Sequence, residues 1–169
     1  MRVLAIDPGY ERVGVAIVES ASPKEQVLYS VCIQTHPKDA FPDRLTQAGR
    51  EIERLLSLYS PDVVALEQLF FNTNQKTALR VAEARGAFLY IARSHGIITR
   101  EYTPLQVKVA VLGYGHGSKK QVVAMVHRLV KLREAERLDD EYDAIAIGLT
   151  CLATEKNLLY NLQNNMNMT

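Results

Sequence analysis

Four carboxylates in this chain stand where a carboxylate is costly. Asp7 ends the apolar run Met1-Arg2-Val3-Leu4-Ala5-Ile6, which Pro8-Gly9 breaks. Glu67 ends a second run, Asp62-Val63-Val64-Ala65-Leu66, too short for a helix and apolar enough for a central strand. Asp140 and Asp143 lie three residues apart in a helical stretch and so share a face, continued by Ile147 and Cys151. An ionised carboxylate at buried depth is unfavourable unless something positive holds it. Four together would stay protonated or disordered unless divalent cations neutralised them, and hard oxygen donors suit Mg²⁺ or Mn²⁺. Two such ions about 4 Å apart activate a water on one side of a phosphodiester and stabilise the leaving oxygen on the other. The chemistry these residues point to is metal-dependent phosphodiester hydrolysis, with all four acids as catalytic metal ligands. The competing account has Asp7 shaping a turn, the strand-end acids coinciding, and the helix acids complementing the helix dipole.

The elements that must position these acids follow from pattern. Met1–Ile6 and 13–18 read as two strands joined antiparallel, and Gly14 leaves room for a phosphate or another backbone to come close. Residues 27–35 alternate as a third strand. A helix over 41–59 carries Leu45, Ala48, Ile52, Leu55 and Tyr59 on one stripe. The strand ending at Glu67 comes next, then a loop over 68–74 with Phe70 and Phe71 exposed by pattern. A long helix over 73–95 has Val81, Ala84, Phe88 and Ile91 on one stripe and stops at Gly96. Ala82, Ala84, Gly86 and Ala87 give this helix a small-residue face suited to close packing, on the sheet or on a second copy of the chain. Residues 96–99 form a short strand, and Thr103-Pro104 opens a helical segment through Leu112. Gly113-Tyr114-Gly115-His116-Gly117 is a loop, and Ser118 with Gln121 makes a capping box. The last helix, about 138–156, is apolar on most sides and belongs inside. Residues 1–156 therefore make one domain, and 157–169 read as a frayed tail.

Net charge is +1, but between Lys76 and Arg133 eleven Lys and Arg face two acids, a local +9 that leaves −8 elsewhere. Such a segment suits a polyanion, because nucleic-acid affinity comes mainly from neutralising phosphates. Lys76, Arg80, Lys108, Lys119 and Lys120 are its candidate phosphate contacts, and Phe70 and Phe71 can stack on or wedge between bases. Solvated helix faces are the competing account. Lys119 and Lys120 follow a glycine-rich loop at a helix N-terminus, which suits an anion. The spacing of a Walker nucleotide loop is absent. No apolar run is long enough to span a membrane and no export signal is present, so a cytoplasmic, soluble protein is expected. Cys32 and Cys151 read as buried free thiols.

Ile6-Asp7-Pro8-Gly9, Leu66-Glu67-Gln68-Leu69-Phe70, Gln106-Val107-Lys108 with Gly113-Tyr114-Gly115 and Lys119, and Asp140-Glu141-Tyr142-Asp143-Ala144-Ile145-Ala146-Ile147 resemble, in order, the blocks of the RuvC-type Holliday-junction resolvases. The resemblance covers about residues 1 to 155. It implies an α/β, RNase H-like fold: a five-stranded mixed sheet, its N-terminal strands antiparallel and the rest parallel, flanked by helices. It also implies a homodimer on four-way junction DNA in recombination and repair, working beside branch-migration proteins. Each pair of cuts would be symmetric, Mg²⁺- or Mn²⁺-dependent, and leave 5′-phosphates. Asp7, Glu67, Asp140 and Asp143 match the metal-binding acids, Phe70 an aromatic that stacks near the junction centre, and Lys108 and Lys119 basic residues at the scissile backbone. Some members carry a histidine close to the last aspartate; this sequence has none there. Two alternatives remain: a nucleotide-phosphate-binding protein of the actin and sugar-kinase kind, which normally closes two such domains around ATP, and a non-catalytic junction-binding module.

Overall fold

Among the described residues, six strands and five helices follow one another as β1 (Arg2–Asp7), β2 (Arg12–Glu19), β3 (Glu25–Gln34), α1 (Phe41–Tyr59), β4 (Val63–Glu67), α2 (Gln75–Ser94), β5 (Ile98–Tyr102), α3 (Pro104–Leu112), α4 (Lys119–Leu129), β6 (Val130–Lys131) and α5 (Asp139–Met166). The computed structural model describes every residue except 10, 70–74, 133–135 and 167–169, and describes only the backbone of 75–77 and 156–166. Strand order across the sheet is β5-β4-β1-β2-β3-β6. The β1, β2 and β3 pairs are antiparallel, whereas β4 and β5 join parallel to β1. The mixed sheet holds as expected, but it has six strands rather than five. The sixth pairs only Val130 and Lys131 with Glu25 and Gln26, in parallel. Two residues are too few to leave an alternation that a sequence pattern can register.

Strand alternation divides the core in two. Val3 and Ala5 of β1, Ala16 and Val18 of β2, and Val63 and Ala65 of β4 meet α3, α4 and α5. Leu4, Ile6, Val13, Val15, Ile17, Val64 and Leu66 meet α1 and α2 through Ile52, Leu55, Ala84 and Phe88. Each strand thus buries both faces, which explains its unbroken apolar runs. Continuing the same period, Asp7 after Val3 and Ala5, and Glu67 after Val63 and Ala65, fall on the α5 face. The parallel register Ile6↔Leu66 brings those two strand ends side by side.

α5 lies across this face with Ala144, Ile145, Ile147, Cys151 and Leu152 fully buried. Its tight seating depends on two glycines. A Cβ at Gly148 would stand 2.6 Å from a Val18 methyl, and one at Gly14 would stand 2.0 Å from the Asp140 carbonyl oxygen. The room expected at Gly14 is therefore filled by backbone, that of the α5 N-terminus. The helix also runs on to Met166 instead of stopping at Lys156. Leu158, Leu159 and Leu162 keep helical spacing there, a signal masked in the sequence by the surrounding asparagines. Cys32 and Cys151 are buried free thiols. No described helix is long and apolar enough to cross a membrane.

Candidate active site

The N-terminus of α5 is fastened where it meets the sheet. Glu141, buried, accepts the Leu138 amide at 3.1 Å and the Ser30 hydroxyl at 2.6 Å, and Arg137 donates to Ser30 at 3.0 Å. This closes a capping turn and ties the helix to β3. Glu141 is more than the dipole complement that its first-turn position suggests. Ser30, Cys32, Arg12 and Gly14 share one sheet face by alternation, and Asp140 sits over it.

On that fastened turn, Asp140 and Asp143 point toward the strand ends. Their charges act on Asp7, whose carboxyl is pushed up to about 8 from an ordinary 3.8, first by burial, then by Glu67, Asp143 and Asp140; Lys119 pulls the other way. Burial and Asp143 likewise push Glu67 up to about 7, opposed by Lys108 and Lys119. The structure thus brings Glu67, Asp140 and Asp143 within electrostatic reach of Asp7. Two further cations sit among them. Lys119 Nζ lies 2.7 Å from Asp143 Oδ2 and 3.6 Å from Asp139 Oδ2. Burial alone would lower the Lys119 ammonium, but its hydrogen bond to Asp143 and the surrounding carboxylates raise it. Arg12 donates to Asp140 Oδ2, and Cys32 Sγ stands 3.7 Å from the same oxygen.

Among the described residues no three acid, His or Cys side chains close on one point as a ready cation cage. Arg12 and Lys119 engage Asp140 and Asp143 in this state, which leaves the strand-end acids crowded by like charge. Oxygen-only donors, two of them held near neutrality by burial and repulsion, fit hard divalent cations.

The cationic surroundings are narrower than the segment's charge implies. Lys108, on α3, acts directly on Glu67; α3 is started by a Thr103–Gln106 capping box. Lys120 is exposed beside Lys119 at the start of α4, where Ser118 and Gln121 form the expected box. Arg80, by contrast, pairs with Glu83 at 3.1 Å and lies over the Phe41 ring. Arg85 pairs with Glu101, and Arg100 with Glu155. Each of these three thus has an acid beside it, although Arg80 and Glu83 are both open to solvent. Phe70, Phe71 and the side chain of Lys76 lie outside the described residues. Arg12 fell outside the basic segment, and its signal was strand alternation: two before Gly14, it shares the face on which Asp140 lands. A cavity of about 670 Å³ between β3 and α1, lined by Val31, Gln47, Arg50 and Arg54 among others, holds none of the four acids. An open edge suits a duplex backbone better than an enclosed pocket.

Known proteins resemble this chain over most of its length. The family model described as "Crossover junction endodeoxyribonuclease RuvC" matches residues 3–151. A protein of that description from Syntrophomonas wolfei is 43% identical over 149 residues, covering 88% of this chain and 87% of its own. One from Alkaliphilus metalliredigens is 44% identical over 149 residues, covering 88% and 91%. Among solved structures, Thermus thermophilus RuvC in complex with a Holliday junction substrate superposes with a TM-score of 0.83 at 34% identity, covering 89% of this chain and 92% of that one.

Proposed function

The chain belongs to the RuvC family of crossover junction endodeoxyribonucleases, and from that premise we propose that it resolves four-way DNA junctions by divalent-metal-dependent phosphodiester hydrolysis, as a homodimer. The observation that carries this reading is the meeting of Asp7 and Glu67 from two adjacent strand ends with Asp140 and Asp143 from one fastened helix turn. Asp7, Glu67, Asp140 and Asp143 would hold the ions, Mg²⁺ or Mn²⁺, two per site. Bound there, such ions supply an ionised water and neutralise the leaving oxygen.

The chain's own residues prepare that site. Lys119, hydrogen-bonded to Asp143, would stabilise the added negative charge of a phosphate bound over the acids. Lys108 faces Glu67 from α3 and would hold the backbone beside it. Lys120 extends this grip along α4. Phe70 and Phe71 follow β4 in the chain and would stack on unpaired bases near the junction centre. Hydrolysis adds water across the phosphodiester and leaves a 5′-phosphate and a 3′-hydroxyl.

The dimer suits a two-fold substrate, since each subunit then reaches one of two equivalent strands. α2 supports it: Ala84 is buried against the core, while Leu79, Glu83, Gly86 and Tyr90 form an outer stripe with Leu79 and Tyr90 largely exposed. Cytoplasmic work beside branch-migration proteins belongs to the same reading. The test is a labelled synthetic four-way junction offered beside linear duplex and a flap, with Mg²⁺, Mn²⁺ or chelator. Paired nicks confined to the junction and lost in chelator are expected. Binding without cutting under every metal would leave a non-catalytic junction binder instead.

A further inference from the structure

Arg12 opens β2 on the sheet face that α5 covers, and its guanidinium meets Asp140, one of the four acids. Its side chain is 48% exposed and that of Asp140 22%, so the pair sits at the mouth of the cluster. Three properties, together with its place on one of the four acids, let this contact yield to a divalent ion. A guanidinium stays charged at any physiological pH, so it is a permanent occupant. An ion pair this open is weak, worth about fivefold or less in an equilibrium, so a divalent ion can displace it. Once displaced, a planar guanidinium is shaped for bidentate contact with a phosphate, and its exposure gives it room to turn outward.

We propose that Arg12 is the resident cation of the acid cluster, competing with a divalent ion for Asp140 and, once released, gripping the DNA backbone, so that metal occupancy and DNA affinity rise together. The inference rests on the metal-binding reading above. Arg12 then makes the metal-free site less repulsive at some expense of metal affinity, and linkage requires that whatever releases it favours DNA binding by the same factor. The opposite role, in which Arg12 orients Asp140 toward the metal, predicts the opposite sign.

The deciding experiment titrates the full chain with Mn²⁺ in the absence of DNA, by calorimetry, for wild type, Arg12→Gln, Arg12→Lys and Asp7→Asn. Arg12→Gln is expected to bind Mn²⁺ about twofold to fivefold more tightly, and Arg12→Lys, which keeps the charge, to return toward wild type. In parallel, Ca²⁺ should raise junction affinity more in wild type than in Arg12→Gln, by about the same factor. Unchanged or weaker Mn²⁺ binding in Arg12→Gln would overturn the proposal. If Arg12→Gln does not fold, Arg12→Lys decides: wild-type Mn²⁺ affinity with a reduced Ca²⁺ increment in junction binding supports the proposal, and weaker Mn²⁺ binding overturns it. Wild-type Mn²⁺ affinity in Asp7→Asn would instead show that the metal site is misassigned, a separate failure.

Discussion

Replacing Asp7 by Asn should stabilise the metal-free protein while disabling it, and the gain should depend on pH. Asp7 titrates near 8 in the folded chain and near 3.8 when unfolded. The folded pKa is raised, so the penalty is absent below pH 4, grows as pH rises, and is complete above pH 8. At pH 7 the gap is roughly three units, each about 1.4 kcal/mol, for a full cost of about 4 kcal/mol. Solvent at its partly open side screens some of this, leaving about 2 to 4 kcal/mol. In a domain of this size that raises the melting temperature by on the order of 10 °C. The assay is thermal unfolding in chelator at pH 5 and pH 8, wild type against Asp7→Asn. The account predicts a gain at pH 8 at least twice that at pH 5, and further stabilisation by Mg²⁺ in wild type that is blunted in the variant. A gain equal at both pH values, or a loss at pH 8, would refute the reasoning that burial and like charge hold Asp7 near neutrality.

Other consequences follow from the same geometry. Gly14→Ala places a methyl against the Asp140 carbonyl oxygen, backbone that cannot step aside; it should cost about 1 to 3 kcal/mol in denaturant unfolding and reduce cleavage by displacing the α5 turn. Glu141→Ala removes the Leu138 cap and the Ser30 tie and should cost about 1 to 3 kcal/mol by the same measurement, although it touches no substrate. Leu79→Asp with Tyr90→Asp on the outer stripe of α2 should give a monomer in sedimentation at micromolar concentration with an unchanged circular dichroism spectrum. A persistent dimer would move the interface elsewhere. Lys119→Ala should lower the cleavage rate about 10²-fold or more while junction affinity changes little, as expected for a group acting mainly on transition-state charge.

Much of this site could be read before any coordinates because it obeys short-range rules. Asp7 and Glu67 announce themselves by ending apolar runs, and period-two alternation then assigns them to one face without tertiary knowledge. Asp140 and Asp143 show through a period of three. What stayed hidden depends on long-range contact. Arg12 and Asp140 are far apart in sequence, and only the seating of α5 on Gly14 brings them together. Glu141 looked like an ordinary first-turn acid because its partner, Ser30, lies on another element. Arg100 likewise finds its counter-ion in Glu155, an acid from outside the basic segment. The two-residue β6 has no pattern to display, and its pairing with β3 exists only once α4 has delivered it there.

The central claim is that the acid cluster cuts the junction, and separating cutting from binding tests it most directly. A single junction labelled on one strand, mixed with wild type, Asp7→Asn or Asp143→Asn in Mg²⁺, can be run on native and denaturing gels from the same tube. The account predicts that all three shift the junction and that only wild type yields the nicked strand. Nicking by either variant near the wild-type rate would contradict it, because hydrolysis would then not need the carboxylates on which the reading stands.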